Sequence, residues 1–353
     1  MDSKSILEEI ADINRETGAP DITLPVNDLL HRDDKSIYLV VLGQFKSGKS
    51  SLINHILGIN LLPVGVVPVT AIVTRIRFAE KPGLFILHEN GDKTSHPLHE
   101  LSQYVTEKNN PGNIKKVIQA IVEHPAMAPF KKISLVDTPG LGSLYKHNSA
   151  ATRQWLPFTG TSIVCVSAER PLSEQDIELI KGVSQYCPAV TLVITKSDLF
   201  NSREIREIEE HVSGEARKAL GRNIPVCVHS TIPGNEKTGN VLIEQLLQPL
   251  QSGYEAIFQD ILRYKTRNII DQSIFYAQLA VQSAAKRESE KESVKGLLDE
   301  IRSNRTHYER EMLLSATAFK NDTREQLEKI ILPHLPSVIE SIDQRFLSDY
   351  QDQ

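Results

Sequence analysis

The feature that most constrains the fold is a glycine-rich loop between an apolar segment and a helical one. Residues 43–50 read Gly-Gln-Phe-Lys-Ser-Gly-Lys-Ser, after the apolar run 37–42 and before the helical pattern 51–57. Such a loop works as a strand-to-helix turn, because its backbone N–H groups and the helix N-terminus surround a phosphate chain. The spacing therefore predicts a nucleoside triphosphate site on an α/β scaffold. Its predicted contacts are Gly43, Gln44, Phe45, Lys46, Ser47, Gly48, Lys49, Ser50 and Ser51.

Two side chains of this loop have specific predicted roles. Lys49 is expected to reach the β and γ phosphates, and the Ser50 hydroxyl is expected to contact Mg²⁺. The alternative is a glycine-containing turn with a chance lysine. The apolar run before the loop and the helical pattern after it argue against that alternative.

A second motif indicates which base is bound. The apolar run 189–194 leads into Thr195-Lys-Ser-Asp198. The Asp198 carboxylate is expected to accept hydrogen bonds from the two adjacent N–H donors of guanine, which adenine lacks. The Lys196 stem is expected to lie along the purine face. Alone, this tetrapeptide is usually a surface turn, but its place downstream of the phosphate loop favours guanine over adenine.

A third motif, Asp137-Thr-Pro-Gly140, follows the apolar run 133–136. Asp137 at a strand end is placed to hold Mg²⁺ through water. Gly140 offers a backbone N–H that can approach the γ-phosphate closely, since glycine has no Cβ. An ordinary turn is the alternative interpretation, and the two other motifs disfavour it.

Length and charge limit the classes of protein to consider. The chain has 353 residues and a formal net charge of −5, enough for an α/β domain of about 200 residues and a second module. With a pI near 6.1, no global positive field recruits nucleic acid. Cys165, Cys187 and Cys227 are predicted to be reduced core thiols, which favours the cytoplasm. No signal peptide or membrane span is predicted, because the longest apolar stretch, 61–73, is broken by glycine and proline.

Hydrophobic periodicity predicts three regions: an N-terminal helical segment (1–32) packing with the C-terminal helices, an α/β domain (33–250) and an all-α neck or stalk (251–353). Predicted strands are 36–42, 71–78, 84–90, 115–122, 131–137, 161–167, 189–195 and 225–229. Predicted helices are 49–57, 98–107, 148–156, 173–186, 202–220 and 239–250. Turns at 82–83 and 90–91 indicate that 71–90 is an antiparallel extension of a mostly parallel sheet.

Together these motifs resemble the dynamin superfamily, specifically bacterial dynamin-like proteins. The resemblance is carried by residues 43–51, by Leu-Leu-Pro-Val-Gly-Val-Val-Pro-Val-Thr at 61–70, by 137–140, by Arg-Pro-Leu-Ser-Glu-Gln-Asp at 170–176 and by 195–198. It covers about 33–250 well, while the flanking helices match only in kind. It implies a P-loop GTPase domain with an extended, mostly parallel central sheet, followed by a helical bundle.

The same resemblance implies an activity. It points to an enzyme that hydrolyses GTP to GDP and phosphate with Mg²⁺, dimerises through its nucleotide-binding face and uses its helices to assemble or remodel membranes. Thr70 would be the switch threonine, closing over Mg²⁺ and the attacking water. Otherwise Thr70 is one threonine in a proline-rich loop. Partners would be a second copy or a second dynamin-like chain. The expected location is cytoplasmic or peripheral at the inner face of a membrane.

Two positions bear on how hydrolysis would be assisted. Ras-like enzymes orient water with a glutamine directly after Asp-x-x-Gly, and here that position is Leu141. Dynamins commonly carry serine where this chain has Lys46, and that serine helps hold a monovalent cation, K⁺ or Na⁺. Guanylate-binding proteins resemble this loop with an arginine there. One interpretation is that Lys46 replaces the cation; the other is a solvated lysine.

The sequence is also compatible with two other functions. A ribosome- or RNA-associated Era-like GTPase is disfavoured by Thr195 in place of asparagine and by the lack of a basic C-terminal module. A weakly catalytic scaffold pairing with a second dynamin-like chain is compatible with intact motifs.

Ser230, after the run 225–229, is either a contact to the base or part of a plain turn. Lipid contact would come from a partner or from a distal stalk absent from this sequence, since no basic or apolar tip is visible.

Overall fold

Nine strands form one sheet in the spatial order β4-β3-β5-β2-β6-β1-β7-β8-β9. The strands are β1 (Ile37–Gly43), β2 (Val73–Arg77), β3 (Gly83–His88), β4 (Lys93–His96), β5 (Val117–Glu123), β6 (Ile133–Asp137), β7 (Thr161–Ser167), β8 (Val190–Thr195) and β9 (Val226–Val228). The pairs β1–β6, β1–β7, β2–β5, β7–β8 and β8–β9 are parallel, and β2–β6, β3–β4 and β3–β5 are antiparallel. The predicted extended, mostly parallel sheet is confirmed.

The computed structural model describes residues 3–17, 26, 28, 31, 35–65, 70–140, 152, 155–170, 172–232, 241–303 and 305–333. The chain divides into two compact units, residues 1–277 and residues 278–353. The helices are α1 (Ser3–Thr17), α2 (Lys49–Leu57), α3 (Leu101–Val105), α4 (Glu174–Ser184), α5 (Ser202–Leu220), α6 (Gln248–Ser252), α7 (Tyr254–Ser303) and α8 (Arg305–Ile331). The predicted three-part division at 33 and 250 stays a prediction.

The central strands are buried on both faces, and this is why they read as continuous apolar runs in the sequence. Every residue of β1, β6, β7 and β8 is buried. On one face Leu52 and Ile53 of α2 belong to the apolar core. On the other face Ile180 of α4 and Val212 of α5 belong to a second core. Helices on both faces and parallel strands place the carboxyl ends of β1, β6, β7 and β8 at one edge of the sheet.

Several predicted boundaries agree with the structure, and three differ for physical reasons. Helices 49–57 and 202–220 are confirmed as α2 and α5. The predicted helix 98–107 is a 3₁₀ turn at 98–100 followed by α3, and it ends because Thr106 is extended. The predicted strand 115–122 begins at Val117, since Lys116 has a left-handed backbone with φ 51°. The predicted helix 239–250 is helical from 241, where the described residues resume, and it contains a π-helical turn, Ile243–Leu247, before α6.

Strand β4 was not predicted from the sequence. Its residues, Lys-Thr-Ser-His, are all polar, so they show no apolar alternation. Pairing with β3 through the turn at Gly91, where φ is 86°, makes this segment a strand. The predicted helix 148–156 falls mostly outside the described residues, and Leu156–Phe158 form a 3₁₀ turn.

In the first unit, the N-terminal helix and the beginning of α7 share an apolar cluster. Ile10 and Val26 are buried in it together with Tyr254 and Ile261.

In the second unit, the described side chains of α7 and α8 are almost all exposed, including the polar stretch 289–295. Helix α8 ends at Ile331, two residues before Pro333. Among the described helices, none combines the length and apolar character needed to cross a bilayer. The three cysteines are buried and free, as predicted.

Candidate guanine-nucleotide site

The phosphate loop joins buried β1 to α2 through two glycines with positive φ. Gly43 has φ 144° and Gly48 has φ 82°. A Cβ on Gly43 would lie 2.5 Å from the Cys165 carbonyl oxygen of neighbouring β7. Only glycine therefore allows the loop to turn this close to the sheet. The loop opens at the carboxyl edge of the sheet, where α/β proteins bind their ligands.

Lys49 is buried under this loop, at the first position of α2. Its Nζ donates hydrogen bonds to the carbonyl oxygens of Gly43 at 3.1 Å and Gln44 at 3.0 Å. Burial lowers the pKa of Lys49, and the nearby Asp137 carboxylate opposes that shift. A buried ammonium needs a negative partner. Bound phosphate would provide one.

Two further polar groups of the loop are buried without hydrogen-bond partners in the described part of the chain. They are the Ser47 Oγ and the Gln44 Nε2. Buried polar groups are normally paired with protein, water or ligand. Both belong to the predicted phosphate contacts, and ligand oxygens or water can satisfy them.

The three predicted metal ligands come together. The Ser50 Oγ donates to Asp137 Oδ2 at 2.8 Å, and the Thr70 Oγ1 donates to the same oxygen at 3.3 Å. The two hydroxyl oxygens lie 3.4 Å apart. Thr70 is held in place by an isolated antiparallel bridge to Thr106. Hydroxyl and carboxylate oxygens are the donors that Mg²⁺ prefers, so these residues fit that ion.

Asp137 has the electrostatics of a cation site. It is almost fully buried, and its Oδ1 accepts no hydrogen bond of ordinary geometry from the described residues. Burial raises the pKa of Asp137 to about 6, against lowering contributions from Lys49, Ser50 and Thr70. A cation beside this carboxylate would favour its charged form, because an opposite charge offsets the lost solvation.

Gly140 lies directly against the phosphate loop. A Cβ at Gly140 would be 2.8 Å from Phe45 Cα and 2.9 Å from Phe45 N. The Thr138 Oγ1 donates to the Val41 carbonyl oxygen at 2.8 Å, which fixes the start of this turn on β1. The motif after β6 and the loop after β1 are thus in contact. Leu141, the position of the Ras glutamine, lies outside the described residues.

The guanine motif is tied to the same loop. The Thr195 Oγ1 donates to the Ser47 carbonyl oxygen at 2.8 Å and to the Val166 carbonyl oxygen at 3.3 Å. The Ser230 Oγ donates to Asp198 Oδ1 at 2.5 Å. The structure therefore brings Ser230 and Asp198 together, with the serine orienting the carboxylate that is predicted to read the base.

Lys46 is exposed at the tip of the loop. Its backbone is left-handed, with φ 64°, and its Nζ lies 5.5 Å from the centroid of the Phe45 ring. Lys196 has a similar backbone, with φ 58°. Left-handed conformations are uncommon for residues other than glycine and cluster at functional sites.

Sequence reasoning missed Glu169 at this edge and gave no role to Arg170, which begins the run 170–176. Glu169 forms an ion pair with Lys196, and Arg170 forms one with buried Asp176 at 3.1 Å. Both follow β7, the strand between β1 and β8. β1 leads into the phosphate loop and β8 leads into the guanine motif, so residues just after β7 lie next to both. This position is the signal that could have identified Glu169 and Arg170. Arg170 also adds positive charge near Lys49 and lowers its pKa.

Comparison with known proteins decides the family. Residues 39–198 match the dynamin family. This span contains the phosphate loop, Thr70, Asp137, Gly140 and the guanine motif through Asp198.

The chain belongs to the dynamin superfamily.

Relatives of this dynamin-superfamily chain extend beyond the matched span. It is 25% identical over 341 residues to Dynamin-like protein 2 of Campylobacter jejuni, covering 93% of this chain and 51% of that protein. It is 28% identical over 249 residues to a probable transmembrane GTPase, FZO-like, of Arabidopsis thaliana, covering 68% of this chain and 24% of that one. The chain thus spans about half or less of the length of these relatives.

The fold of this superfamily member also has a solved counterpart. A structure of an oligomerised bacterial dynamin pair, described as a mechanism for sensing and tethering membranes, aligns over 90% of this chain and 54% of that chain. The TM-score is 0.52 at 17% sequence identity. The predicted fold class, a P-loop GTPase domain with an extended sheet and a helical region, is confirmed.

Proposed function

We propose that this protein binds GTP with Mg²⁺ and hydrolyses it to GDP and phosphate. The observation that carries the proposal is the contact between the side chains of Ser50, Thr70 and Asp137. Three oxygens from segments far apart in sequence lie within 3.4 Å of one another. They stand beside a buried lysine at the end of a phosphate-binding loop. This arrangement is suited to a metal-bound triphosphate.

Each residue has a defined part in this proposal. The Lys49 ammonium holds the β and γ phosphates. Ser50, Thr70 and Asp137 would hold Mg²⁺, whose charge would offset that of the transferred phosphoryl group. The Gly140 N–H contacts the γ-phosphate. Thr70 also orients the attacking water, because the Leu141 side chain has no polar atom to do so.

The exposed Lys46 supplies the additional positive charge at the loop. Its ammonium stabilises charge that develops between the β and γ phosphates, so that hydrolysis depends less on K⁺ or Na⁺. The alternative is a lysine that adds only general positive potential.

Base selection lies at the other end of the site. Asp198, oriented by Ser230, accepts the two N–H donors of guanine, and Thr195 keeps this motif in register with the phosphate loop. Because adenine presents a different donor and acceptor pattern, GTP and GDP bind in preference to ATP.

The enzyme dimerises through its nucleotide-binding face, and its helices transmit motion to a membrane. Support comes from the superfamily and from the apolar cluster that joins α1 and Val26 to the beginning of α7. A second copy or a second dynamin-like chain is the partner. No nucleic acid is bound. The protein acts in the cytoplasm or at the inner face of a membrane, with lipid contact through a partner or a distal stalk.

Measuring GTP turnover against protein concentration tests this proposal. We expect the turnover per molecule to rise with concentration, because pairing of two nucleotide-binding faces completes each active site. Constant turnover per molecule would rule out assembly-stimulated hydrolysis and leave guanine binding intact. Equal affinity for ATP and GTP by calorimetry would overturn the base assignment.

A further inference from the structure

Glu169 is a charged residue at the nucleotide edge to which the proposed mechanism assigns no part. It follows β7 by two residues, and Ser167 at the end of β7 pairs with Thr195 at the end of β8. The Ala168 N–H also donates to the Thr195 carbonyl oxygen at 3.0 Å. These contacts place Glu169 beside Lys196, the lysine predicted to cover the purine.

The Glu169 carboxylate binds the Lys196 ammonium directly. Its Oε2 accepts a hydrogen bond from Lys196 Nζ and a second one, at 3.1 Å, from Ser167 Oγ. The hydrogen bond from Lys196, then that from Ser167, lower the pKa of Glu169, and Lys46 adds to this shift. Glu169 is therefore ionised at neutral pH and fixed from two sides.

The Lys196 backbone adopts an uncommon conformation at this edge of the sheet. Its φ of 58° is in the left-handed region, although lysine has a Cβ and no side-chain hydrogen bond caps this turn. Backbone strain of this kind persists where the surrounding structure holds it. A long lysine stem still has many rotamers, and an anchored ammonium removes most of them before ligand arrives.

We propose that Glu169 is a positioning residue for guanine nucleotides, which holds the Lys196 ammonium so that the lysine stem stays over the purine. The inference rests on the proposed guanine site. The ligand is a guanosine diphosphate or triphosphate, and Glu169 acts on it through Lys196 without touching the phosphates. Loss of the carboxylate frees the stem and shortens the residence time of the nucleotide.

A double-mutant cycle tests this proposal. The probe is GDP with a fluorescent N-methylanthraniloyl group on the ribose, and the measurement is its dissociation rate from the full chain by stopped flow. The variants are Glu169→Gln, Lys196→Met and the double substitution, where methionine keeps an unbranched stem without the ammonium. We expect Glu169→Gln to raise the dissociation rate about two- to fivefold, the range for partly exposed ion pairs.

In the Lys196→Met background, Glu169→Gln should have almost no further effect, because its partner is gone. High ionic strength should reduce the effect seen with Lys196 present, since the pair is partly exposed. Glu178→Gln, an exposed glutamate on α4, is the matched control and should leave the rate unchanged.

An equal factor in both backgrounds, or an unchanged rate in Glu169→Gln, would overturn the role of Glu169 while guanine binding stands. A wild-type chain that fails to retain the GDP probe would overturn the guanine site itself.

Discussion

The Thr195 side chain donates a hydrogen bond to the Ser47 carbonyl oxygen at 2.8 Å, although the two residues are 148 positions apart. This bond joins the guanine motif to the phosphate loop. The distance between the base site and the phosphate site is therefore fixed by the protein before ligand binds. Preorganisation of this kind lowers the entropy cost of binding a rigid ligand.

Replacing Thr195 with valine removes this bond and keeps the shape of the side chain. The phosphate loop is then no longer tied to the guanine motif and must be ordered when the nucleotide binds, which costs about 0.5–1.5 kcal/mol. We therefore expect GTP and GDP affinities to fall together by roughly two- to tenfold. Thr195→Ser keeps the hydroxyl and serves as the control. Isothermal titration calorimetry with GDP measures both. Wild-type affinity in Thr195→Val would mean that the bond does not organise the site.

Gly140→Ala should destabilise the domain, since the new Cβ would lie 2.8 Å from Phe45 Cα. Backbone must shift to relieve this contact, and overpacking of this kind costs about 1–3 kcal/mol. Thermal unfolding measures the effect. Gly182→Ala is the matched control, because a Cβ on this α4 residue meets no atom within 4 Å. There we expect a gain of about 0.5–1 kcal/mol from helix propensity. Equal melting temperatures for the two variants would contradict the predicted contact.

The raised pKa of Asp137 predicts that protein stability and Mg²⁺ binding change in opposite directions with pH. The folded pKa is about 6 and the ordinary value is 3.8. Between these values the folded state binds more protons than the unfolded state, so this group's contribution to stability falls as pH rises through the window. Asp137→Asn should therefore stabilise the nucleotide-free protein at about pH 7.5, with a gain in unfolding free energy on the order of 1–3 kcal/mol. Its melting temperature should rise accordingly.

Ion binding should show the opposite trend. Mg²⁺ requires the charged carboxylate, so the Mg²⁺-dependent part of GDP affinity in the wild type should fall as pH drops through about 6. Asp137→Asn should lose this part at every pH. Glu178→Gln is the control for a simple change of charge. A Mg²⁺ dependence that survives in Asp137→Asn would remove Asp137 from the metal site.

Lys46→Ala should slow GTP turnover, because the loop loses a positive charge that would act at the transferred phosphoryl group. Residues with this role are worth up to about 10³–10⁵ in rate, and we expect a fall of at least about tenfold in buffer without K⁺. Steady-state phosphate release with and without K⁺ measures it. A variant with near-wild-type turnover in the absence of K⁺ would refute the role.

Two controls accompany this measurement. Lys116→Ala changes an exposed lysine just before β5, which is three strands away from β1 in the sheet, and it should leave turnover unchanged. Lys49→Ala should abolish nucleotide binding, because the phosphates lose their buried cation. Micromolar GTP affinity in Lys49→Ala would contradict the assignment of the phosphate loop.

Much of the fold could be predicted from sequence because the central strands are buried on both faces. Eight of the nine strands contain apolar residues in a strand-like pattern, which located them to within a few residues. Strand β4 gave no such signal, since it is a polar edge strand that forms only because β3 is beside it. The 3₁₀ turn before α3 and the π-helix at Ile243–Leu247 have no periodic signature of their own.

The candidate site was also predictable from the sequence only in part. The phosphate loop, Asp137, Gly140 and the guanine motif were predicted from local spacing. Their mutual contacts were not, because each joins segments that are distant in the chain. The bond from Ser230 to Asp198 and the ion pair from Glu169 to Lys196 are of this kind.

By itself the sequence determined which chemical groups this protein presents to a nucleotide, because each motif is a short run with its own strand and helix. Only the tertiary structure decided how these groups cooperate. The carboxyl ends of β1, β6, β7 and β8 meet at one edge, and near this edge the Ser50 and Thr70 hydroxyls contact the Asp137 carboxylate although they come from separate segments. Contacts of that kind depend on the order of strands in the sheet, which local sequence patterns do not encode.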